Sequence, residues 1–269
     1  MVISIIGLGW LGLPLAKQLK RKGHQVKGST TTTDKLPLLE KENIPPYLLN
    51  LVPHPTGQQF GNLFQTDILI INIPPGLRSN PETYHPEQVK YLKALAEQHG
   101  VKKIIYISST SIYPSQEGTF DEKFPLSETN TGNRALWKAE NLLNRDSSFD
   151  LTILRCGGLM GEKRIPGRYF SGKDGVEGNV PVNYIHQHDV IGIIEWVINN
   201  DKWNETFNAV SPNHPLRKEI YLNNSEKLGF PPPASFSPNE QNRIISSEKL
   251  LQKGYLFLFP QPLEYRYST

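Results

Sequence analysis

Glycines at positions 7, 9 and 12, in Gly7-Leu8-Gly9-Trp10-Leu11-Gly12, have the spacing of a phosphate-cradling loop. In such a loop the first glycine permits a tight turn and the second lets the backbone approach a pyrophosphate. The third lets the following helix pack closely on the preceding strand. The chemistry is electrostatic: backbone N–H groups at the positive end of a helix hold the diphosphate. A glycine-rich turn with no ligand is the alternative. The flanks favour the loop, because the β-branched run Val2–Ile6 precedes it and a helical pattern follows. The reading is NAD(P) binding through Gly7, Gly9, Trp10, Leu11 and Gly12.

NAD sites usually place an acidic residue about 20 residues further on, where it holds the ribose 2′-hydroxyl. Here Ser29, Thr30 and Thr31 stand in that place, and none is acidic. Hydroxyls can donate to a 2′-phosphate and Lys27 or Lys35 could neutralise it, so NADP is slightly favoured over NAD. Asp34 reads better as a first-turn helix residue. The threonine run has an alternative as a capped loop that touches no ligand.

A second group of chemistry-bearing residues follows the strand 103–108. Ser108, Ser109, Thr110 and Ser111, with Tyr113, sit where residues beyond the carboxyl ends of parallel strands face a ligand crevice. Hydroxyls there suit hydrogen bonding to a sugar or carbonyl, and a Ser/Thr turn network is the alternative. Arg155, Lys163, Arg164 and Arg168 favour an anionic substrate such as a nucleotide sugar or carboxylate, with a solvated basic loop as the alternative. No Cys/His group has metal-ligand spacing, so no metal is expected.

The elements that must hold these residues alternate. Strands are expected at 2–6, 24–28, 47–51, 67–73, 103–108 and 151–155, with a later one at 206–210. Helices are expected at 11–22, 34–41, 86–99, 133–144 and 190–198, and residues 157–181 read mostly as loop. The alternation implies βαβ units. The fold class is α/β, a Rossmann-type doubly wound parallel sheet with a small C-terminal substrate lobe. Residues 1–155 form the NAD(P)-binding body and 156–269 a smaller lobe that shares its sheet.

Composition sets outer bounds. The chain has 269 residues with a net charge of +3, too small and scattered to argue for nucleic acid. A single cysteine, Cys156, leaves no intramolecular disulfide and fits a reducing cytoplasm. No apolar run is long enough to span a membrane. The expected partner is a small-molecule substrate.

The glycine loop, Ile107-Ser108-Ser109-Thr110-Ser111-Ile112-Tyr113, Leu154-Arg155-Cys156-Gly157-Gly158 and Asn183-Tyr184-Ile185-His186-Gln187-His188-Asp189-Val190 together resemble the extended and atypical short-chain dehydrogenase/reductases. This is the NAD-dependent epimerase/dehydratase superfamily, and within it the chain resembles the bacterial YeeZ-type group of predicted epimerases. The similarity runs along nearly the whole chain. It implies a catalytic Ser/Thr at Ser109 and a lysine at Lys138 that holds the nicotinamide ribose. The family tyrosine, four residues before that lysine, is replaced by Arg134. Guanidinium stays protonated with a pKa above about 12 and cannot be a general base. Arg134 could instead bind substrate or stand in the proton path.

The resemblance also places Pro74, Pro75, Ser108, Gly157, Gly158 and Leu159 beside the cofactor. Thr110, Ser111, Tyr113, Arg164, Tyr169 and His186 fall on the substrate side, and Asp189 reads as a helix cap. Family members pair through two helices into four-helix bundles, so a homodimer through 86–99 and 133–144 is an open expectation. The function implied is an NAD(P)-dependent oxidoreductase or epimerase-like enzyme. A non-catalytic NAD(P)-binding sensor or regulator is the alternative.

Overall fold

The computed structural model describes residues 1–76 and 80–267. In chain order the first half runs β1 (Val2–Ile6), α1 (Gly12–Arg21), β2 (Gln25–Thr30), α2 (Leu36–Lys41), β3 (Pro46–Leu51), β4 (Pro55–Gln58), β5 (Ile68–Ile71), α3 (Tyr84–Gln98), β6 (Lys103–Ser109), β7 (Gly118–Phe120) and α4 (Arg134–Asn144). The second half runs β8 (Asp150–Cys156), β9 (Gly158–Met160), β10 (Val176–Asn179), β11 (Tyr184–His186), α5 (Gln187–Asn199), β12 (Glu205–Ala209), α6 (Arg217–Leu228), β13 (Phe236–Glu240), β14 (Arg243–Ile245) and α7 (Glu248–Gln252).

Eight of the strands form one sheet in the order β12-β8-β6-β5-β1-β2-β3-β4. Pairing is parallel at β1–β2, β1–β5, β2–β3 and β5–β6, and β4 closes one edge antiparallel to β3. From β1 the chain steps one way through β2 and β3, then returns to the other side of β1 with β5 and β6. The winding therefore reverses between β1 and β5, and a ligand crevice opens beyond the carboxyl ends of strands at such a point.

Sequence patterns explain the layers. Every residue of β5 is buried, as in parallel strands covered on both faces. Helix α1 buries Leu15, Ala16 and Leu19 and carries Lys20 and Arg21 in its last turn, where the helix dipole favours cations. Helix α3 buries Val89, Leu92 and Ala96, and Pro86 sits in its first turn, where a missing N–H forfeits no helical bond. These side chains pack with Leu69, Ile71, Ile104, Tyr106, Ala139 and Leu143 in one apolar cluster. The Asn133 side chain caps α4 by accepting from the Leu136 N–H at 3.1 Å.

The chain divides into two compact units. The first comprises residues 1–112, 126–154 and 194–206; the second comprises 113–125, 155–193 and 207–269. The second unit contains the short parallel pairs β7–β14, β9–β11 and β10–β13. Its small core joins Val176, Val182, Ile220 and Tyr221 to Phe170, Tyr184 and Phe236.

The expected elements of the first 155 residues are present, with β2 extended to Thr30. The later chain is more regular than the sequence pattern suggests. Strands β9 and β10 lie in a stretch expected to be mostly loop, and α6 was not expected at all. Two of the four buried positions of α6 are Asn224 and Ser225, so no apolar stripe marks it.

Candidate functional site

In the first unit a cleft of about 440 Å³ opens beyond β1, β2 and β5. It is lined by Gly7, Leu8 and Gly9 after β1, by Ser29, Thr30, Thr31 and Lys35 after β2, and by Asn72, Ile73, Pro74 and Gly76 after β5. Leu49, Asn50, Leu51 and Val52 form a further wall, with Asn80, Tyr84 and Gln88 at the start of α3.

The three loop glycines differ in what requires them. Gly7 has φ +105°, and a Cβ there would lie 2.4 Å from the Asn72 carbonyl oxygen. A Cβ on Gly12 would lie 2.1 Å from the Gly7 oxygen, so this glycine permits α1 to press on the loop. A Cβ on Gly9 would meet nothing within 4 Å. Protein packing at the Cβ position therefore does not require a glycine here, and Gly9 lines the cleft. No side chain caps α1 at Leu11. An open cradle against the uncapped positive end of a ten-residue helix is what a diphosphate requires, so the residues present fit a dinucleotide. Leu11 is buried and Trp10, just before the helix, is half-buried.

Two side chains hold the loop in shape. The Gly7 N–H donates to Ser29 Oγ at 2.9 Å, and Asn72 Nδ2 donates to the Gly7 carbonyl at 2.9 Å. The Ser29 carbonyl accepts from the Leu8 N–H at 2.8 Å. Sequence reasoning missed Asn72 as a loop-holding residue. A polar side chain directly after the apolar run Ile68–Ile71, at the reversal of strand order, was the available signal.

At the β2 edge the cleft presents Thr30, Thr31 and Lys35 and no carboxylate among its lining residues. Lys27, also considered for a 2′-phosphate, is committed elsewhere: its ammonium donates to the Asn62 and Gln65 carbonyls at 2.5 and 2.8 Å.

The hydroxyls after β6 separate. Ser108 is buried and donates to Glu140 Oε1 at 2.6 Å, which corrects the expectation that it touches a cofactor. Ser109 is half-buried and its Oγ accepts from the Ser111 N–H at 3.2 Å. Thr110 is buried, and exposed Ser111 accepts from Asn133 Nδ2 at 3.3 Å.

Lys138 requires a second correction. It lies on the outer side of α4, in a surface groove with Thr83, Pro86, Glu87, Trp137 and Arg145. Its ammonium is paired with Glu82 at 2.9 Å and Glu128 at 3.1 Å. The side-chain hydrogen bonds to Glu82 and Glu128 raise its pKa above the usual lysine value. The inward face of α4 consists of Ala135, Leu136, Ala139, Glu140 and Leu143, none of them a tyrosine or lysine. Arg134 is exposed, and its Nε donates to the Glu128 carbonyl at 3.2 Å.

In the second unit, Tyr113 is fully buried. Its hydroxyl accepts from Arg155 Nη1 at 2.9 Å and donates to Asn208 Oδ1 at 2.8 Å, so it is a core residue and offers a substrate no hydroxyl. Burial raises its pKa, against the nearby Arg155 charge. His186 is 2% exposed and packs against Phe259 and Tyr265, which likewise removes it as a substrate contact. Desolvation lowers its pKa to about 4.

Asp189 does not act as a helix cap. Its buried carboxylate accepts from the Leu258 and Phe259 N–H groups at 2.7 and 2.9 Å and so ties down the C-terminal segment. Gly157 and Gly158 are set by packing: Cβ atoms there would lie 2.3 Å from the Asn183 oxygen and 2.7 Å from the Tyr184 ring. Leu159 pairs with Ile185 between β9 and β11. Arg164 closes a tight turn with Gly161, and Tyr169 is 55% exposed. Among the described residues no cluster of three or more His, Cys, Asp or Glu is placed to hold a metal, and no helix is long and apolar enough to cross a membrane.

A parallel sheet whose winding reverses beside a glycine loop and an uncapped helix defines a Rossmann-type nucleotide-binding protein. The chain belongs to the NAD(P)H-binding family, whose model matches residues 7–194. It is 34% identical to Protein YeeZ of Escherichia coli strain K12 over 267 residues, 97% of each chain. Its fold is similar to the UDP-Glc/GlcNAc 4-epimerase of Campylobacter jejuni, with a TM-score of 0.79 and 16% identity over 97% of this chain and 95% of that one. It is also similar to the human epimerase family protein SDR39U1, solved with NADPH, with a TM-score of 0.70 and 18% identity over 97% and 96% of the two chains.

Proposed function

We propose that this chain is an NAD(P)-dependent oxidoreductase or epimerase-like enzyme that takes NADPH in preference to NADH and acts on a nucleotide sugar or similar anionic metabolite. One observation carries the reading: the cleft has an empty cradle at Gly9 against the uncapped start of α1, and a far edge of Thr30, Thr31 and Lys35 without a carboxylate. A 2′-phosphate gains from the Lys35 charge, and no carboxylate is among the residues lining the cleft. The substrate class is supported by the likeness to a UDP-sugar epimerase fold and by the basic side chains Arg164 and Arg168.

When bound, the nicotinamide supplies hydride transfer. In this reading Gly7, Gly9 and the start of α1 hold the diphosphate, while Ser29 and Asn72 keep the loop in shape. Ser109 orients the substrate by hydrogen bonding, with Ser111 and Asn133 beside it. Arg134 binds an anionic group of the substrate, because a guanidinium cannot accept a proton.

A second reading, a non-catalytic NAD(P)-binding sensor, is favoured by the inward face of α4, which carries neither the family's phenol nor a free ammonium. Titration with NADPH and NADH, on the native protein and on Lys35→Ala, tests the cofactor. NADPH should bind more tightly, and the substitution should weaken NADPH by about tenfold while leaving NADH within about twofold. Equal loss for both nucleotides would refute the 2′-phosphate assignment. Turnover of UDP-sugars with bound cofactor separates the enzyme from the sensor.

A further inference from the structure

A chain of hydrogen bonds leads from the wall of the cleft into the core of the first unit. The Leu51 carbonyl, in the cleft wall, accepts from the Tyr84 hydroxyl at 2.7 Å and from Gln88 Nε2 at 2.8 Å. A carbonyl can only accept, so the amide nitrogen of Gln88 must face it. The Gln88 Oε1 is then the atom 3.3 Å from His85 Nδ1, which must carry the ring proton. His85 Nε2 is left bare and accepts from the Tyr106 hydroxyl at 2.7 Å. The direction is fixed throughout: Tyr106 donates to His85, His85 to Gln88 and Gln88 to Leu51.

His85 and Tyr106 are 0% exposed and Gln88 is 8% exposed. Tyr106 packs in the apolar cluster that holds Val89, Leu92 and Ile104, and apolar side chains of similar size at these three buried positions would carry a lower desolvation cost. What a satisfied polar chain adds is orientation. It determines the rotamer of Gln88 and, through it, the position of the Leu51 carbonyl and the end of β3. The Leu51 carbonyl has both lone pairs occupied, so it is a rigid part of the wall and offers no acceptor to a ligand.

We propose that His85 is a positioning residue for nucleotide binding: through Gln88 it presets the Leu51–Tyr84 wall of the cleft before a dinucleotide enters, without touching the dinucleotide itself. This rests on the reading that the cleft takes NAD(P)H, and it adds residues remote from the glycine loop to the binding machinery. Preorganisation of this kind appears as affinity, because a preset wall pays no ordering entropy on binding.

The test compares the NADPH dissociation constant with the melting temperature for the native protein, His85→Leu, Tyr106→Phe and Ile104→Val. The last trims the same core outside the hydrogen-bond chain. His85→Leu and Tyr106→Phe should each weaken binding by about fivefold, as loss of one net hydrogen bond implies. The double variant should be no weaker than His85→Leu alone, because the two residues act in one chain. Ile104→Val should lower the melting temperature and leave binding unchanged. If His85→Leu does not fold, Tyr106→Phe decides the outcome alone.

Unchanged affinity in the Tyr106 variant, or an equal loss in Ile104→Val, would overturn the proposal while the cleft assignment stands. A native protein that binds neither NADPH nor NADH would overturn the cleft assignment and this proposal with it. Imidazole nitrogen shifts give a reading without ligand: His85 should be protonated at Nδ1, and an Nε2-protonated ring would refute the chain.

Discussion

Alanine at Gly9 should move stability and nucleotide binding in opposite directions. An ideal Cβ at this position meets no atom within 4 Å, and the residue's φ lies outside the left-handed range. The folded protein therefore accepts a methyl group without strain. Replacing glycine at a compatible position reduces the freedom of the unfolded chain and stabilises by about 0.4–1 kcal/mol. A diphosphate held by the start of α1 would meet that methyl group, and an affinity loss of about 100-fold corresponds to roughly 2.7 kcal/mol.

Thermal shift with and without NADPH reads both terms. At a ligand concentration about 100 times the native dissociation constant, binding adds roughly 2.7 kcal/mol to native stability. At roughly 2–4 °C per kcal/mol this is a rise of about 5–11 °C. At the same concentration the Gly9→Ala protein should gain only about 0.4 kcal/mol, a rise of about 1 °C, from a starting point equal to or above the native one. Gly12→Ala serves as contrast, since its Cβ would lie 2.1 Å from the Gly7 oxygen and must destabilise the protein with or without ligand. A Gly9→Ala protein with a full NADPH shift, or one less stable than native by more than about 1 kcal/mol, would refute the assignment of this space to a ligand.

Lys138→Ala should leave NADPH affinity within about twofold of native, because the ammonium is held by Glu82 and Glu128 on the outer side of α4. A tenfold loss in titration calorimetry would restore the lysine to the nicotinamide ribose. Acid should weaken the fold through two buried histidines, His85 and His186, whose desolvation lowers each pKa to about 4. The unfolded chain takes up these protons near pH 6.5 and the native state only near 4, so stability is lost as pH falls through that window. Buried Asp189 and half-buried Glu122, with pKa values raised by desolvation, oppose this towards the lower end. The melting temperature should drop between pH 6.5 and 5, less steeply in His85→Gln; a flat profile would refute the burial argument.

The dinucleotide loop was legible because its demands are local. A β-branched strand, three glycines in six residues and an amphipathic helix each follow from neighbours in the chain, and the described structure has them at 2–21. The lack of a carboxylate at Ser29, Thr30 and Thr31 was equally plain. The roles of Ser108, Tyr113, Lys138 and His186 were not legible, because a hydroxyl, ammonium or imidazole has the same local signature whether it faces a ligand or a buried partner. Only packing revealed that Glu140 takes Ser108, that Arg155 and Asn208 enclose Tyr113, that two carboxylates occupy Lys138 and that Phe259 and Tyr265 cover His186. Ser29 and Asn72, which hold the loop from 22 and 65 residues away, belong to the same class of fact. Local sequence determines which strand, turn and helix form. Which polar atoms remain for chemistry depends on partners that meet only when distant strands close the sheet.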